Sequence, residues 1–126
     1  MRVRSGSPFE ETIGFSRAVR AGERVLVSGT APIPAPGGTL ADGAHAQMLR
    51  CGEIVAAALA EAGASMADVV RTRMYLVDAA DAGEVGRAHR ELFGAAQPAA
   101  TMVVVAALLD PRWRIELEAE AILGSR

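Results

Sequence analysis

The 126-residue sequence predicts a single α+β domain, residues 1–126, in which a mixed β-sheet carries two helices on one face. Three observations lead to this prediction. The chain is long enough for one domain with a real core and too short for two. Its β-forming and amphipathic helical segments alternate in the order ββαβαββ. One β-forming segment is apolar on both faces, which is typical of a strand that needs cover on both sides.

The first two strands are predicted to form a hairpin. Residues 16–20 and 24–28 are short alternating, β-branched segments on either side of a turn at Ala21-Gly22-Glu23. The next segment, residues 31–43, contains three prolines and three glycines. This composition predicts an irregular surface loop.

Two segments have helical periodicity. In residues 44–62 apolar residues recur at spacings of three and four, with Asp42 as the expected N-cap and Gly63 as the expected stop. A second helix is expected to begin at Asp78 and Asp81 and to end at Gly94. The predicted apolar faces are Met48, Cys51, Val55, Ala58, Leu59 and Ala62 on the first helix, and Val85, Ala88, Leu92 and Phe93 on the second.

The remaining strands follow from alternation. Residues 69–77 place Val70, Thr72, Met74 and Leu76 on one face, with Arg71, Arg73 and Tyr75 on the other. Residues 101–109 and 112–123 are predicted to form a second hairpin with its turn near Asp110-Pro111. In the last strand the face of Ile115, Leu117, Ala119, Ala121 and Leu123 is apolar, while Arg114, Glu116, Glu118 and Glu120 share the other face.

Residues 101–109 are apolar on both faces. Two helices on one side of the sheet cover only one of these faces. We therefore expect the second face to be buried against other subunits of a homo-oligomer.

Several classes of function are disfavoured by composition. The longest apolar run, residues 102–109, is far short of the ~20 residues of a membrane-spanning helix. The N-terminus shows no secretory signal, so a cytoplasmic protein without membrane partners is expected. One cysteine and two histidines argue against a disulfide framework and against a metal site. The net charge of −2 and the five aromatic residues argue against a nucleic-acid partner.

From about Ile13 to Ala121 the sequence resembles the RidA/YjgF family, also called the YjgF/L-PSP family. The matching segments are Ile13-Gly14-Phe15-Ser16, residues 25–30, residues 59–70, Phe93, Pro98-Ala99 and residues 115–119. The resemblance implies a chorismate-mutase-like fold and a homotrimer with clefts between subunits that bind small acids or imines. Family deaminases hydrolyse enamine and imine intermediates without a metal or organic cofactor, so no cofactor is expected.

The resemblance also assigns site residues. The glutamate that positions water falls on Glu116, and the Ser-Gly pair falls on Ser28 and Gly29. The pocket aromatic falls on Phe15, where the deaminases usually have tyrosine. The carboxylate-binding arginine falls on Ala100 and the pocket asparagine on Gly86, so both groups are absent.

The missing arginine leaves three readings open. A shielded arginine–carboxylate contact contributes about 1.5 to 3 kcal/mol, so its loss weakens binding of an imino acid by roughly 10 to 100-fold. Either the ligand carries no carboxylate, or Arg73 or Arg87 reaches it, or the pocket is not catalytic. Thr101 offers a hydroxyl suited to a neutral carbonyl group. His89 is either a ligand contact or part of the helix surface.

Each retained candidate has a structural alternative. Glu116 is either a general base in a cleft or, with Glu118 and Glu120, part of a charged strand face opposite Arg71 and Arg73. Ser28 is expected to be a pocket hydroxyl or a strand-end hydrogen bonder, because no histidine stands at triad spacing and no nucleophile-elbow motif surrounds it. Phe15 belongs to the core or to a pocket wall. Cys51 is expected to be a small buried hydrophobe.

The leading hypothesis is a cofactor-free trimer that acts on or binds a small imine, enamine or carbonyl metabolite, with Glu116 as proton shuttle or water-positioner. Because the arginine is missing, a standard 2-iminobutanoate deaminase is not expected. The alternative is a non-catalytic ligand-binding or regulatory trimer. An endoribonuclease is disfavoured by the charge balance and by the lack of an acid–base histidine pair.

Overall fold

The computed structural model describes residues 1–125 and contains six strands and two long helices in that range. In chain order the elements are β1 (Arg2–Val3), β2 (Ala18–Ala21), β3 (Arg24–Thr30), α1 (Ala44–Glu61), β4 (Val69–Leu76), α2 (Ala82–Phe93), β5 (Ala99–Val104) and β6 (Ile115–Ile122). A π-helical turn, Glu10–Gly14, precedes β2. The predicted α+β class is confirmed, and the short strand β1 is added at the N-terminus.

The six strands form one mixed sheet in the order β1-β2-β3-β6-β4-β5. The strand β6 lies antiparallel between β3 and β4, whereas β5 runs parallel to β4 at the edge. The predicted hairpin of residues 101–109 with 112–123 is therefore wrong, because β4 separates these strands. Residues 105–114 form a long connection that leaves the edge after Val105, whose N–H donates to the Leu76 carbonyl at 2.7 Å. This connection lets β6 occupy the middle of the sheet.

The first hairpin is confirmed. Strands β2 and β3 pair antiparallel, with Ala21 opposite Arg24 at the turn. Gly22 has a φ of 63°, a left-handed conformation that favours glycine in a tight turn.

Both helices pack on one face of the sheet, as predicted. Helix α1 contacts β3, β6 and α2. Gly63, with a φ of 87°, follows the end of α1 as expected. Asp42 is not the N-cap: Gly43 occupies that position without a side-chain cap. Helix α2 begins after Asp81 as expected, and Asp81 occupies its N-cap position. The Asp81 side chain makes no cap hydrogen bond there, and its carboxylate accepts from Arg114 at 3.0 Å.

The core lies between the helices and the sheet. The predicted apolar faces of β6 and of both helices are buried there, apart from Leu92 and Leu123, which are partly buried. On β4 a register shift between Val69 and Arg71 turns Val69, rather than the predicted Val70, toward the core. Cys51 is fully buried as expected, and burial raises the pKa of its thiol to about 12. Within residues 1–125 no helix combines the length and apolarity needed to cross a membrane.

The edge strand β5 is more open than predicted. The exposed fractions of Val103 and Val104 are 42% and 54%, and Met102 alone packs partly against the core. The expectation that the chain's own helices would seal one face of this strand is therefore wrong. The reason is topological: β5 lies outside the central strands that the helices cover.

Candidate functional site

A cavity of about 360 Å³ lies between the N-terminal segment, β3 and the loop that precedes β6. Its walls are mostly apolar and are interrupted by four polar side chains, those of Ser7, Arg17, Ser28 and Glu116. The main apolar lining residues are Phe9, Ile13, Phe15, Ile33, Leu109 and Trp113. Four of the eight predicted site residues, Phe15, Ser28, Gly29 and Glu116, therefore meet in one place.

A local irregularity of β3 brings Glu116 into this cavity. The register between β3 and β6 shifts between Val27 and Thr30, which places Gly29 directly against the Glu116 side chain. A Cβ added at Gly29 would lie 2.5 Å from Glu116 Oε2. A side chain at this position would therefore displace the Glu116 carboxylate, so glycine matters here through a close approach and not through a turn.

Glu116 differs from its neighbours on the same strand face. Its carboxylate is partly buried, and it makes no hydrogen bond or ion pair to any residue of the described chain. Glu118 instead accepts a hydrogen bond from the Tyr75 hydroxyl, and Glu120 pairs with Arg73 at 3.3 Å. The charged-face interpretation holds for Glu118 and Glu120, and Glu116 is left free.

The electrostatic surroundings of Glu116 favour its protonated form. Burial raises the pKa of this carboxyl above its ordinary value, and the positive charge of Arg17 lowers it by less. A carboxylate with a raised pKa in a partly dry cavity has the properties of a general base.

Two further residues of the cavity wall are Ser28 and Phe15. The Ser28 hydroxyl donates to the Ser16 carbonyl at 2.7 Å, so it acts as a strand-end hydrogen bonder and offers a ligand only its lone pairs. Phe15 is half-buried on the cavity wall, and its ring centre lies 5.8 Å from the Arg17 guanidinium carbon.

Two lining residues were missed by sequence reasoning. Arg17 is buried, and it follows Phe15 by two positions, the spacing at which side chains share a strand face. Trp113 is the only tryptophan of the sequence. It is held by Gln47, whose amide donates to the Arg112 carbonyl at 3.1 Å and accepts from the Arg114 N–H at 2.8 Å.

The remaining four candidates lie elsewhere. Ala100 and Thr101 are exposed on β5, which β6 and β4 separate from β3. His89 on α2 is hydrogen-bonded to the Thr72 hydroxyl at 2.8 Å, one strand from Ala100, and burial lowers its pKa. Gly86 lies on the same helix. In one chain these residues do not reach the cavity.

Neither alternative arginine supplies the missing contact in this cavity. Arg73 is paired with Glu118 and Glu120, and Arg87 is exposed on α2. Within residues 1–125 no group of three or more histidine, cysteine, aspartate or glutamate side chains is arranged to hold a metal ion.

The family model described as Endoribonuclease L-PSP matches residues 7–123. The chain belongs to this family. The resemblance to RidA/YjgF proteins is thereby confirmed, and with it the fold that the resemblance implied.

Individual similar proteins agree with this assignment. A protein of Streptomyces coelicolor is 42% identical over 127 residues, covering 98% of this chain and 92% of the relative. The mouse 2-iminobutanoate/2-iminopropanoate deaminase is 33% identical over 116 residues, covering 87% and 82%. The crystal structure of Rv2704 from Mycobacterium tuberculosis, a YjgF/YER057c/UK114 family member, superposes with a TM-score of 0.90 at 41% identity and covers 98% of both chains.

Proposed function

We propose that this protein hydrolyses a small imine, enamine or activated carbonyl compound in the cavity beside Glu116. The proposal includes a homotrimer, in which a neighbouring copy completes each cavity. Membership of the family is consistent with a deaminase-like or small-molecule-binding role.

One observation carries the proposal: Glu116 is a partly buried carboxylate that faces an apolar cavity and has no partner among the described residues. Glu118 and Glu120 are each occupied by a partner on the protein, whereas Glu116 is available to a bound molecule. A carboxylate placed in this way can take a proton from water as the water attacks an electrophilic carbon.

The proposed reaction needs only water and the substrate. As the water oxygen forms a bond to the C=N carbon, Glu116 accepts a water proton and the electron pair of the double bond moves to nitrogen. The protonated carboxyl then delivers this proton to the nitrogen, which gives a carbinolamine with one hydroxyl and one amino group on the carbon. In the second half of the reaction Glu116 takes the hydroxyl proton as the carbonyl forms and delivers it to the nitrogen as the C–N bond breaks, so ammonia leaves. Glu116 ends the cycle ionised, as it began.

The open edge strand supports the proposed trimer. Ala100 and Thr101 lie on β5 beside the exposed apolar side chains of Val103 and Val104. Exposed apolar surface at the edge of a sheet is typical of an association site. A neighbouring copy placed against the cavity would bring the second group of candidates, Gly86, His89, Ala100 and Thr101, toward Glu116.

The test is an imine-hydrolysis assay with imines generated in situ from apolar amino acids by an amino-acid oxidase. We expect wild-type protein to accelerate ammonia release, and Glu116→Gln to lower the rate about 10² to 10⁴-fold. Glu120→Gln is the matched control, because Glu120 lies on the same strand face but is already paired with Arg73. Unchanged turnover in Glu116→Gln would remove the proposed role.

A second candidate function is ligand binding without catalysis. It is favoured by the alanine at position 100 and by Phe15, which lacks the hydroxyl of the deaminase tyrosine. It predicts no hydrolysis by wild-type protein across the imine panel, together with ligand-dependent thermal stabilisation.

A further inference from the structure

The Arg17 side chain is a buried cation with unused hydrogen-bonding capacity. Its exposed fraction is 8%, and its Nη2 donates to the Gly29 carbonyl at 2.5 Å. Its Nε is buried and has no hydrogen-bond partner in the described part of the chain. A guanidinium carries five N–H donors, so this geometry leaves most of them unused.

The charge of Arg17 is also uncompensated at close range. None of the ion pairs formed within residues 1–125 includes it. Glu10 and Glu116 act on it only through longer-range attraction, and the Glu10 carboxylate already accepts hydrogen bonds from Ser5. A buried charge without a partner is costly, which suggests that an anion outside the chain pairs with it.

The position of Arg17 suggests what that anion belongs to. Arg17 lines the same cavity as Glu116, and the ring of Phe15 lies over its guanidinium carbon at 5.8 Å. Most of the remaining lining residues, including Phe9, Ile33 and Trp113, are apolar. A molecule that fits these walls has one anionic end and an apolar body.

We propose that Arg17 is the anion-binding residue of this cavity and that its ligand class is a small monocarboxylate with an apolar body. Arg17 directly precedes β2. It would thus supply the carboxylate contact that is absent at Ala100. The inference deepens the proposed function and depends on the same cavity.

The first experiment needs no variant. Isothermal titration calorimetry compares phenylacetate with 2-phenylacetamide, which has nearly the same shape and no charge. We expect the acid to bind wild-type protein about 10 to 100-fold more tightly than the amide. Equal affinities, or no binding of the acid at millimolar concentration, would overturn the inference.

The second experiment assigns the effect to Arg17. We expect Arg17→Gln to weaken binding of the acid about 10 to 100-fold and to leave binding of the amide unchanged. The affinity of Arg17→Lys for the acid should lie between those of wild type and Arg17→Gln. Arg24→Gln is the matched control, since Arg24 forms an exposed ion pair with Glu120 outside the cavity. If Arg17 only clamps the Gly29 carbonyl, Arg17→Gln weakens both ligands equally, and the inference is wrong.

The two proposals fail in different ways. If the acid binds through Arg17 but Glu116→Gln has wild-type turnover, the catalytic role of Glu116 is contradicted and the carboxylate site at Arg17 is supported. If Glu116→Gln is inactive but the acid and the amide bind with equal affinity, the catalytic role of Glu116 is supported and the carboxylate site at Arg17 is contradicted.

Discussion

The cavity beside β3 and the edge strand β5 are built in different ways. In the cavity the chain itself holds the groups around Glu116: the Ser28 hydroxyl is held by Ser16, Arg17 by Gly29, and the loop that carries Trp113 by Gln47. On β5 the ladder to β4 holds the backbone, while the side chains of Val103 and Val104 remain exposed.

The cavity and the edge strand therefore have different roles in the proposed site. One chain places Glu116 in its own cavity, and it leaves Ala100 and Thr101 on an open edge of the sheet. The first region should therefore be sensitive to small changes in shape, whereas the second should be sensitive to whatever prevents association.

Among substitutions that change only the shape of the cavity, the largest effect is expected from Gly29→Ala. The added methyl group would lie 2.5 Å from Glu116 Oε2, so the carboxylate must move away from its position beside the cavity. We expect the rate of imine hydrolysis to fall at least about 10²-fold, because general-base catalysis depends on this placement. Steady-state kinetics on the folded variant is the measurement.

Gly83→Ala is the control for this experiment, because a Cβ at Gly83 meets open space on α2. Full activity in Gly83→Ala and loss in Gly29→Ala would show that the close approach matters. Wild-type kinetics in Gly29→Ala would show instead that Glu116 needs no fixed position.

A smaller effect is expected on the pH dependence of stability. Burial raises the pKa of Glu116 in the folded chain, so between its ordinary value and the raised value the folded state binds more protons than the unfolded state. Stability contributed by this group is therefore lost as pH rises through that window. Glu116→Gln removes the cost of ionisation, and its Tm at neutral pH should exceed that of wild type by a few degrees at most, since the carboxylate is only partly buried.

Thermal unfolding of both proteins at several pH values measures this difference. The gap should close as the pH falls below the ordinary glutamate pKa, where Glu116 is protonated in both states. A lower Tm for Glu116→Gln at neutral pH would mean that the carboxylate stabilises the fold and is not held ready for a ligand.

The local elements could be predicted from the sequence because each has its own periodicity. The first hairpin, both helices and the alternating face of β6 depend on neighbouring residues and were predicted correctly. The pairing of β5 and β6 could not be predicted in the same way. Strands that follow each other along the chain usually pair, but here the connection over residues 105–114 carries β6 past β4 into the middle of the sheet.

The site was partly predictable for a related reason. Phe15, Ser28, Gly29 and Glu116 were identified through the family resemblance, and the structure brings them together. Arg17 was missed because its burial depends on how the N-terminal segment folds over it, which no local pattern records. An arginine within a strand is ordinarily a surface residue.

The central claim is that the cavity of one chain is completed by the β5 edge of another. Sedimentation velocity on wild-type protein and on Val103→Glu, with the exposed helix variant Ala60→Glu as control, tests it most directly. The account predicts a wild-type and control mass three times the 13.1 kDa of one chain, and dissociation of Val103→Glu into folded single chains. A wild-type protein that sediments as a folded single chain while it hydrolyses imines would contradict the account.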